Sequence, residues 1–332
     1  MQLHTLLRHT STAVLGFAAC AAFSSVQAAT STLTVGAPTW IGCSPYYVAA
    51  ALDLYKKHDL KVVWKTFTDP AAMPAALSGG SLDAALVTYD QVIGAAGQGQ
   101  SFKVVLPVDY SNGGDAILAA KPIAKVSELK GKKVAYAPLS PSDFLLAYAL
   151  KVNGLSVKDI SHVNMAPEAV PAAMASGAVP VGVTYEPSIS QIMASGKDKF
   201  QVIYSSKEAP GLIADVIAVD AKKISKNSKA IQALAASYAD AMAYMKAKPA
   251  ESAKLIGKAM GISDKEAMEQ LTGVYNIPPN EMAKSFAKSA ETTSYYASGA
   301  IINEILVANK QIKKPVDIAS TLDDRFVKAM AK

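Results

Sequence analysis

The sequence predicts an α/β fold of two similar units followed by a helical tail. Three observations carry that expectation. Strand-like and helix-like segments alternate from about residue 31 to residue 220, the βαβ rhythm of mainly parallel sheets covered by helices. The rhythm restarts after "PIAKVSELKGK", and from about Ala221 the pattern is nearly all helical. A chain of 332 residues, 51% of them apolar and only 7% aromatic, can bury a sizeable core in one large or two medium domains.

In the first unit "STLTVGA" reads as a strand, and "SPYYVAAALDLYKKH" as a helix opened by Ser44 and Pro45. "LKVVWKTF" follows as a strand and "DPAAMPAALSGGS" as a short helix. "LDAALVT" has the length and apolar character of a buried strand, and "YDQVIGAAGQG" is a helix closed by glycines. "FKVVLPVD" and "DAILAAK" are two more strands, joined by the turn-forming "SNGG". The second unit repeats the scheme with strands "KVAYAPL", "ISHVNM", "PVGVTYE" and "FQVIYSS" around helices "SPSDFLLAYALKVNG", "APEAVPAAMASGA" and "PSISQIMASGK". "LIADVIAVD" is a last strand before the tail, whose longest helical pieces are "SKAIQALAASYADAMAYMKAKP" and "AKSFAKSAETTSYYASGAIINEILVANK". Apolar strands near "DAILAAK" and "LIADVIAVD" bracket the second unit, as two hinge crossovers would if one lobe were inserted into the other.

The first 28 residues have the layout of a secretory leader: a short basic start, the apolar "STAVLGFAACAAF", and small residues up to Ala28. "GFAAC" before Cys20 offers lipoprotein anchoring as a minor alternative, although Phe17 stands where leucine is usual. The expectation is an exported periplasmic protein with Cys43 as its one mature cysteine, hence with no internal disulfide. Of 33 basic residues only Arg8 and Arg325 are arginine, and the lysines are scattered. Nucleic-acid sites cluster arginine with aromatic residues, so no nucleic-acid partner is expected.

Ligands of open α/β sheets sit beyond the carboxyl ends of the strands, where helix N-termini gather. Four predicted helix starts lie there: "GCSPYY", "LSPSDF", "VTYDQ" and "TYEPS". Each has a plain reading as helix capping, by Ser44, by Ser140 with Asp143, by Thr88, and by Glu186 before Pro187. Their repetition across both units, with Tyr46, Tyr47, Tyr89 and Tyr185 nearby, points to a shared ligand cleft. Those tyrosines read equally well as half-buried packing residues. Asp109, Ser111, Asn112 and Asp115 crowd one presumed crossover, and Gly211 and Asp215 the other.

"APTWIGCSPYYVAAALDLYKKHDLKV", "AALSGGSLDAALV", "SELKGKKVAY", "SPSDFLLAYALKVNGL" and "YEPSI" with "PGLIAD" together resemble the nitrate/sulfonate/taurine family of ABC-transporter substrate-binding proteins, over roughly Leu33 to Asp220. The resemblance implies a type II periplasmic binding fold with a two-strand hinge. Its lobes would be residues 30–119 with 215–332, and residues 120–214. It also implies a monomer that closes over a small solute and delivers it to a membrane permease driven by a cytoplasmic ATPase. Carried over by position, the pocket is Trp40, Ser44, Tyr46, Tyr89, Asp109, Ser140, Asp143, Glu186 and Asp215. No arginine lies near that cleft to clamp an anion, whereas Asp109, Asp115, Glu186 and Asp215 do. The expected ligand is therefore cationic or zwitterionic, such as a guanidine, an amine or a taurine-like solute. The alternatives are an aliphatic sulfonate, nitrate or a thiamine-pyrimidine precursor.

Catalytic and cofactor patterns are not found. His58 and His162 have no neighbouring cysteine or paired carboxylate in sequence, and structural roles are expected for both. "GAAGQGQ" closes a helix where a dinucleotide loop would open one, and no Gly-Lys-Ser/Thr phosphate loop occurs. No cofactor or metal is expected. A pyrimidine-synthase-like enzyme, which would need a cysteine-rich loop in a cytosolic chain, is set aside.

Overall fold

The computed structural model describes residues 30–330 except Lys197. The expected leader, its cleavage point and Cys20 lie outside the described residues. Strand β1 (Ser31–Ala37) leads through a 3-10 turn into α1 (Ser44–Ala51), then β2 (Leu60–Thr66), α2 (Met73–Ser78), β3 (Ala84–Thr88), α3 (Tyr89–Gly97) and β4 (Phe102–Ser111). After β5 (Asp115–Ala120) come β6 (Lys133–Tyr136), α4 (Pro141–Val152), β7 (Ser161–Asn164), α5 (Val170–Ala175), β8 (Val181–Tyr185), α6 (Ser188–Ser195) and β9 (Phe200–Ser205). Strand β10 (Ala214–Asp220) precedes α7 (Ile224–Ala247), α8 (Pro249–Met260), α9 (Asp264–Leu271), β11 (Val274–Asn276), α10 (Met282–Phe286), α11 (Tyr295–Ala308) and α12 (Arg325–Met330).

Two sheets result, ordered β11-β4-β10-β3-β1-β2 and β7-β6-β8-β5-β9. They are mixed, which corrects the expectation of mainly parallel sheets. Strands joined through helices pair in parallel, as in β1 with β2 and β3, or β6 with β7 and β8. Strands β5, β10 and β11 run antiparallel to every neighbour. β5 and β10 are entered without an intervening α-helix, from β4 and β9 respectively, so no crossover helix returns the chain to the same direction there. The chain changes sheet between Ser111 and Asp115, and again between Ser205 and Ala214; from sequence alone the lobe boundaries fall after residues 119 and 214. Side chains tie the two crossings together, Ser111 Oγ lying 2.7 Å from Ser206 Oγ.

The tail departs from expectation at two places. Strand β11 interrupts it, three residues between Gly273 and the prolines at 278 and 279, too short to show a period of two. The piece expected as one helix from "AKSF" to "VANK" is split, and Ser294 Oγ accepts from Tyr296 N–H to start α11 anew. Helix α7 buries Ile231, Leu234, Ala235, Tyr238 and Ala241, one stripe at helical spacing, and the Tyr238 hydroxyl donates to Val108 O at 2.6 Å. A main core runs through both lobes, and a smaller one around Leu118, Val170, Met174, Ile192 and Phe200 seals the far face of the second sheet. Among the described residues no helix is long and apolar enough to cross a membrane.

Candidate functional site

A cavity opens between the lobes, about 320 Å³ counted with its mouth. Pro38, Trp40, Thr88, Gln91 and Asp215 line it on the first-sheet side, and Asp115, Pro141 and Tyr185 on the other. Trp40 and Tyr185 meet edge to face across it, their ring centroids 5.8 Å apart. Strand ends make the floor, because Asp215 on β10 stands opposite Asp109 on β4 and Thr88 on β3, while Asp115 on β5 stands opposite Tyr185 on β8.

Three carboxyls are therefore concentrated at the crossings. Asp109, Asp115 and Asp215 are each at most 5% exposed. Among the described residues no lysine, arginine or histidine forms an ion pair with any of them. Burial pushes Asp109 and Asp115 up to about 7. Asp215 is held well above the usual carboxylate range, first by burial and then by the Asp109 and Asp115 carboxyls. Trp40 Nε1 donates to Asp109 Oδ1 at 3.3 Å, and Asp109 Oδ2 has no conventional partner. Asp109 and Asp215 face each other on paired strands as a dyad, and one proton shared between them would relieve the repulsion of two buried like charges. Gly42 permits this packing, since a Cβ there would collide with both Asp109 Oδ2 and Trp40 Nε1.

Of the nine residues expected in the pocket, Trp40 and Asp215 line the cavity, and Asp109 lies directly behind the tryptophan. Ser140 and Asp143 line a neighbouring chamber instead. Tyr46 packs between Trp64 and Tyr238, and Tyr89 against Tyr295 with its hydroxyl 2.9 Å from Thr321 Oγ1, both inside the core. Glu186 accepts from Ser190 N–H and Ser190 Oγ–H at the start of α6. Ser44 is not the N-cap expected of it. It is the first helical residue, after Cys43, and its hydroxyl turns back to Ile41 O. Ser140 does occupy the N-cap of α4, but its hydroxyl donates to Ala137 O at 2.7 Å.

Asp115 and Tyr185, noted in the sequence only among acids and aromatics, are cavity residues. Gln91 was missed. Its Oε1 accepts from Thr88 N–H and Oγ–H, and its amide donates to Pro70 O on one lobe and Leu139 O on the other, at 3.0 and 3.3 Å. The spacing Thr88-x-x-Gln91 carries the capping-box signal that would have found it. His58 and His162 make structural contacts: His58 Nε2 reaches Asp240 at 2.9 Å, and His162 packs tilted against Tyr136 with ring centroids 4.1 Å apart.

Gly114 abuts the same tryptophan, and a Cβ there would fall 2.8 Å from Gly273 O and against Trp40 Cη2. Gly114→Ala should thus displace Trp40, costing about 1–3 kcal/mol of stability and weakening ligand affinity several-fold. Urea unfolding and titration calorimetry on the same preparation check both effects.

The family profile described as NMT1/THI5 like matches residues 40–252. The chain is 25% identical to the taurine-binding periplasmic protein of Escherichia coli (strain K12), over 93% of this chain and 97% of that one. It superposes on the periplasmic aliphatic sulphonate binding protein SsuA of Escherichia coli with a TM-score of 0.70 at 24% identity, covering 88% of this chain and 97% of that chain. The alkanesulfonate-binding protein SsuA of Xanthomonas axonopodis pv. citri, bound to MOPS, gives 0.74 at 19% identity, with 90% and 99% covered. The two superpositions establish the two-lobed periplasmic-binding fold.

Proposed function

The chain belongs to the NMT1/THI5-like family, and from that premise we propose that it is the periplasmic solute-binding component of an ABC importer, taking a small solute with a cationic nitrogen. The carrying observation is the set of buried acids at the lobe crossings, Asp109, Asp115 and Asp215, without a basic partner among the described residues. An ammonium or guanidinium seated against Asp115 and Asp215 would neutralise charge that the empty cleft can only suppress by protonation. Trp40 and Tyr185 supply aromatic walls suited to the same cation.

The relative named as taurine-binding supports a zwitterion, with ammonium and sulfonate on one small skeleton. In this cleft the ammonium would face Asp115 and Asp215. The sulfonate would face the N-terminal turns of α3 and α4, which border the cavity at Thr88 and Pro141. Free backbone N–H groups and the helix dipole favour an anion there.

Binding is read as a population shift. Solute contacts both lobes only in the closed form, so it favours closure, and the closed form is what a permease would receive. An enzyme built on Cys43 fits poorly. Its thiol is 1% exposed and is pushed well up, first by burial and then by the Asp215 and Asp109 carboxyls, the reverse of an activated nucleophile.

Calorimetric titration at pH 8 with taurine, ethanesulfonate, nitrate, ethylamine and guanidine tests the reading. Ethanesulfonate is taurine without the amine, so the expected result is binding of taurine or the simple cations, with ethanesulfonate at least tenfold weaker. Equal affinity for ethanesulfonate, or binding of nitrate alone, would sink it.

A further inference from the structure

A larger chamber lies beside the inner cleft, about 670 Å³ with its mouth. Helices α2 and α3 wall it on one side, the Leu139–Phe144 segment of the other lobe faces them, and Leu306 and Gln311 at the end of α11 close it. Gln91 is the partition, since it borders both spaces and its amide spans from Pro70 O to Leu139 O.

Two acids line this chamber, Asp90 at 5% and Asp143 at 6% exposure, and among the described residues neither forms an ion pair, His162 being the basic side chain that acts on Asp143. Asp143 Oδ2 is already used, accepting from Leu139 N–H at 2.9 Å and from Gln311 Nε2 at 2.7 Å. Asp90 Oδ1 is buried without a hydrogen-bond partner. A buried carboxylate oxygen lacking a donor is costly, and Asp90 is part of the lining of a chamber with far more room than one water needs. The remaining lining is largely apolar, with Pro74, Ala95, Phe144 and Leu306.

We propose that this chamber is a second binding site, for an organic cation with an apolar body such as an arylamidine, with Asp90 as the charged contact and Phe144 and Leu306 against the body. Its charged and apolar contacts are not those of the inner cleft, Gln91 being the residue that borders both, and it does not depend on the inner ligand. An anion would meet two carboxylates there. A metal ion has too few ligands, because no group of three or more His, Cys, Asp or Glu side chains comes together among the described residues. A small set of polar groups in an apolar enclosure is the usual make-up of an organic-ligand pocket.

The probe is 4-bromobenzamidine, titrated calorimetrically and soaked into crystals for bromine anomalous scattering. The expected result is a bromine peak in the chamber, with the amidinium against Asp90. Asp90→Asn should weaken this binding about tenfold or more. Should that variant fold poorly, Gly94→Leu serves instead. The Gly94 position leaves a Cβ 3.9 Å from Leu306 Cδ1, so leucine fits the helix backbone and fills the chamber. Asp215→Asn should leave chamber binding unchanged, which separates this proposal from the inner-cleft reading. No peak in the chamber, a peak only in the inner cleft, or full binding in Asp90→Asn or Gly94→Leu would overturn it.

Discussion

Asp215→Asn should weaken the binding of an amine or guanidine at pH 8 by about 30-fold or more, the cost of removing one member of a buried, hydrogen-bonded charge pair. The size follows from position. Asp215 is 5% exposed at the strand end of the cavity floor and faces Asp109 across the β10–β4 pair. In the empty cleft the dyad keeps a proton that an arriving cation must displace. Binding should therefore release protons near neutral pH, measurable as a calorimetric heat that varies with the ionisation enthalpy of the buffer. Affinity should rise with pH as Asp109 and Asp115 ionise, since burial sets both at about 7, and should keep rising above that value for as long as Asp215 holds the proton that the cation displaces. The mutant effect also separates ligand classes: a simple anion would lose no affinity to Asp215→Asn, because the singly protonated acid pair and the variant each carry one negative charge. Unchanged affinity would remove Asp215 from the site.

The second large effect concerns the ligand-free protein, in which Asp115→Asn should be stabilising at pH 8. Burial first of all raises Asp115 from an ordinary carboxylate value to about 7. Below about pH 4 the folded and unfolded chains both carry this proton, and the group contributes nothing. Between about pH 4 and pH 7 the folded chain keeps the proton and the unfolded chain has lost it, so stability falls as pH rises through that window. Above about pH 7 both forms are ionised and the full penalty stands. Asparagine has nearly the same shape and never ionises. Its advantage over aspartate should grow by about 2 kcal/mol between pH 5 and pH 8. Urea unfolding of both proteins at the two pH values measures that growth directly. A difference that stays flat with pH would show that Asp115 ionises freely in the folded chain. Paired with lost ligand affinity, the gain would mark Asp115 as a residue that function retains against stability.

The histories of individual residues show how far sequence reaches. Buried strands such as "AALVT" were readable as short continuous apolar runs, and the Ile231–Ala241 stripe of α7 by its helical spacing. The helix starts were readable too, as local chemistry within four residues. What a helix start faces is not local. Ser44 and Ser140 have the same Ser-Pro signature, yet both hydroxyls turn back onto carbonyls of their own loops. Tyr46 and Tyr185 are both amphipathic aromatics beside a helix start, but one fills the core against Tyr238 and the other lines the cavity. Which of the two a tyrosine does depends on the elements packed over it.

The sequence by itself determined the order of elements, the two α/β units with their helical tail, and the concentration of acids at the crossings without arginine nearby. Each of these follows from short-range periodicity, capping and composition. Only the tertiary structure decided that the sheets are mixed, that Asp109 and Asp215 face each other across a strand pair, and that Gln91 divides one inter-lobe space into two chambers. Those facts join residues far apart in the chain, Asp109 to Asp215 and Gln91 to Leu139, and a carboxyl's charge, burial and partners depend on distances in space that no local pattern encodes.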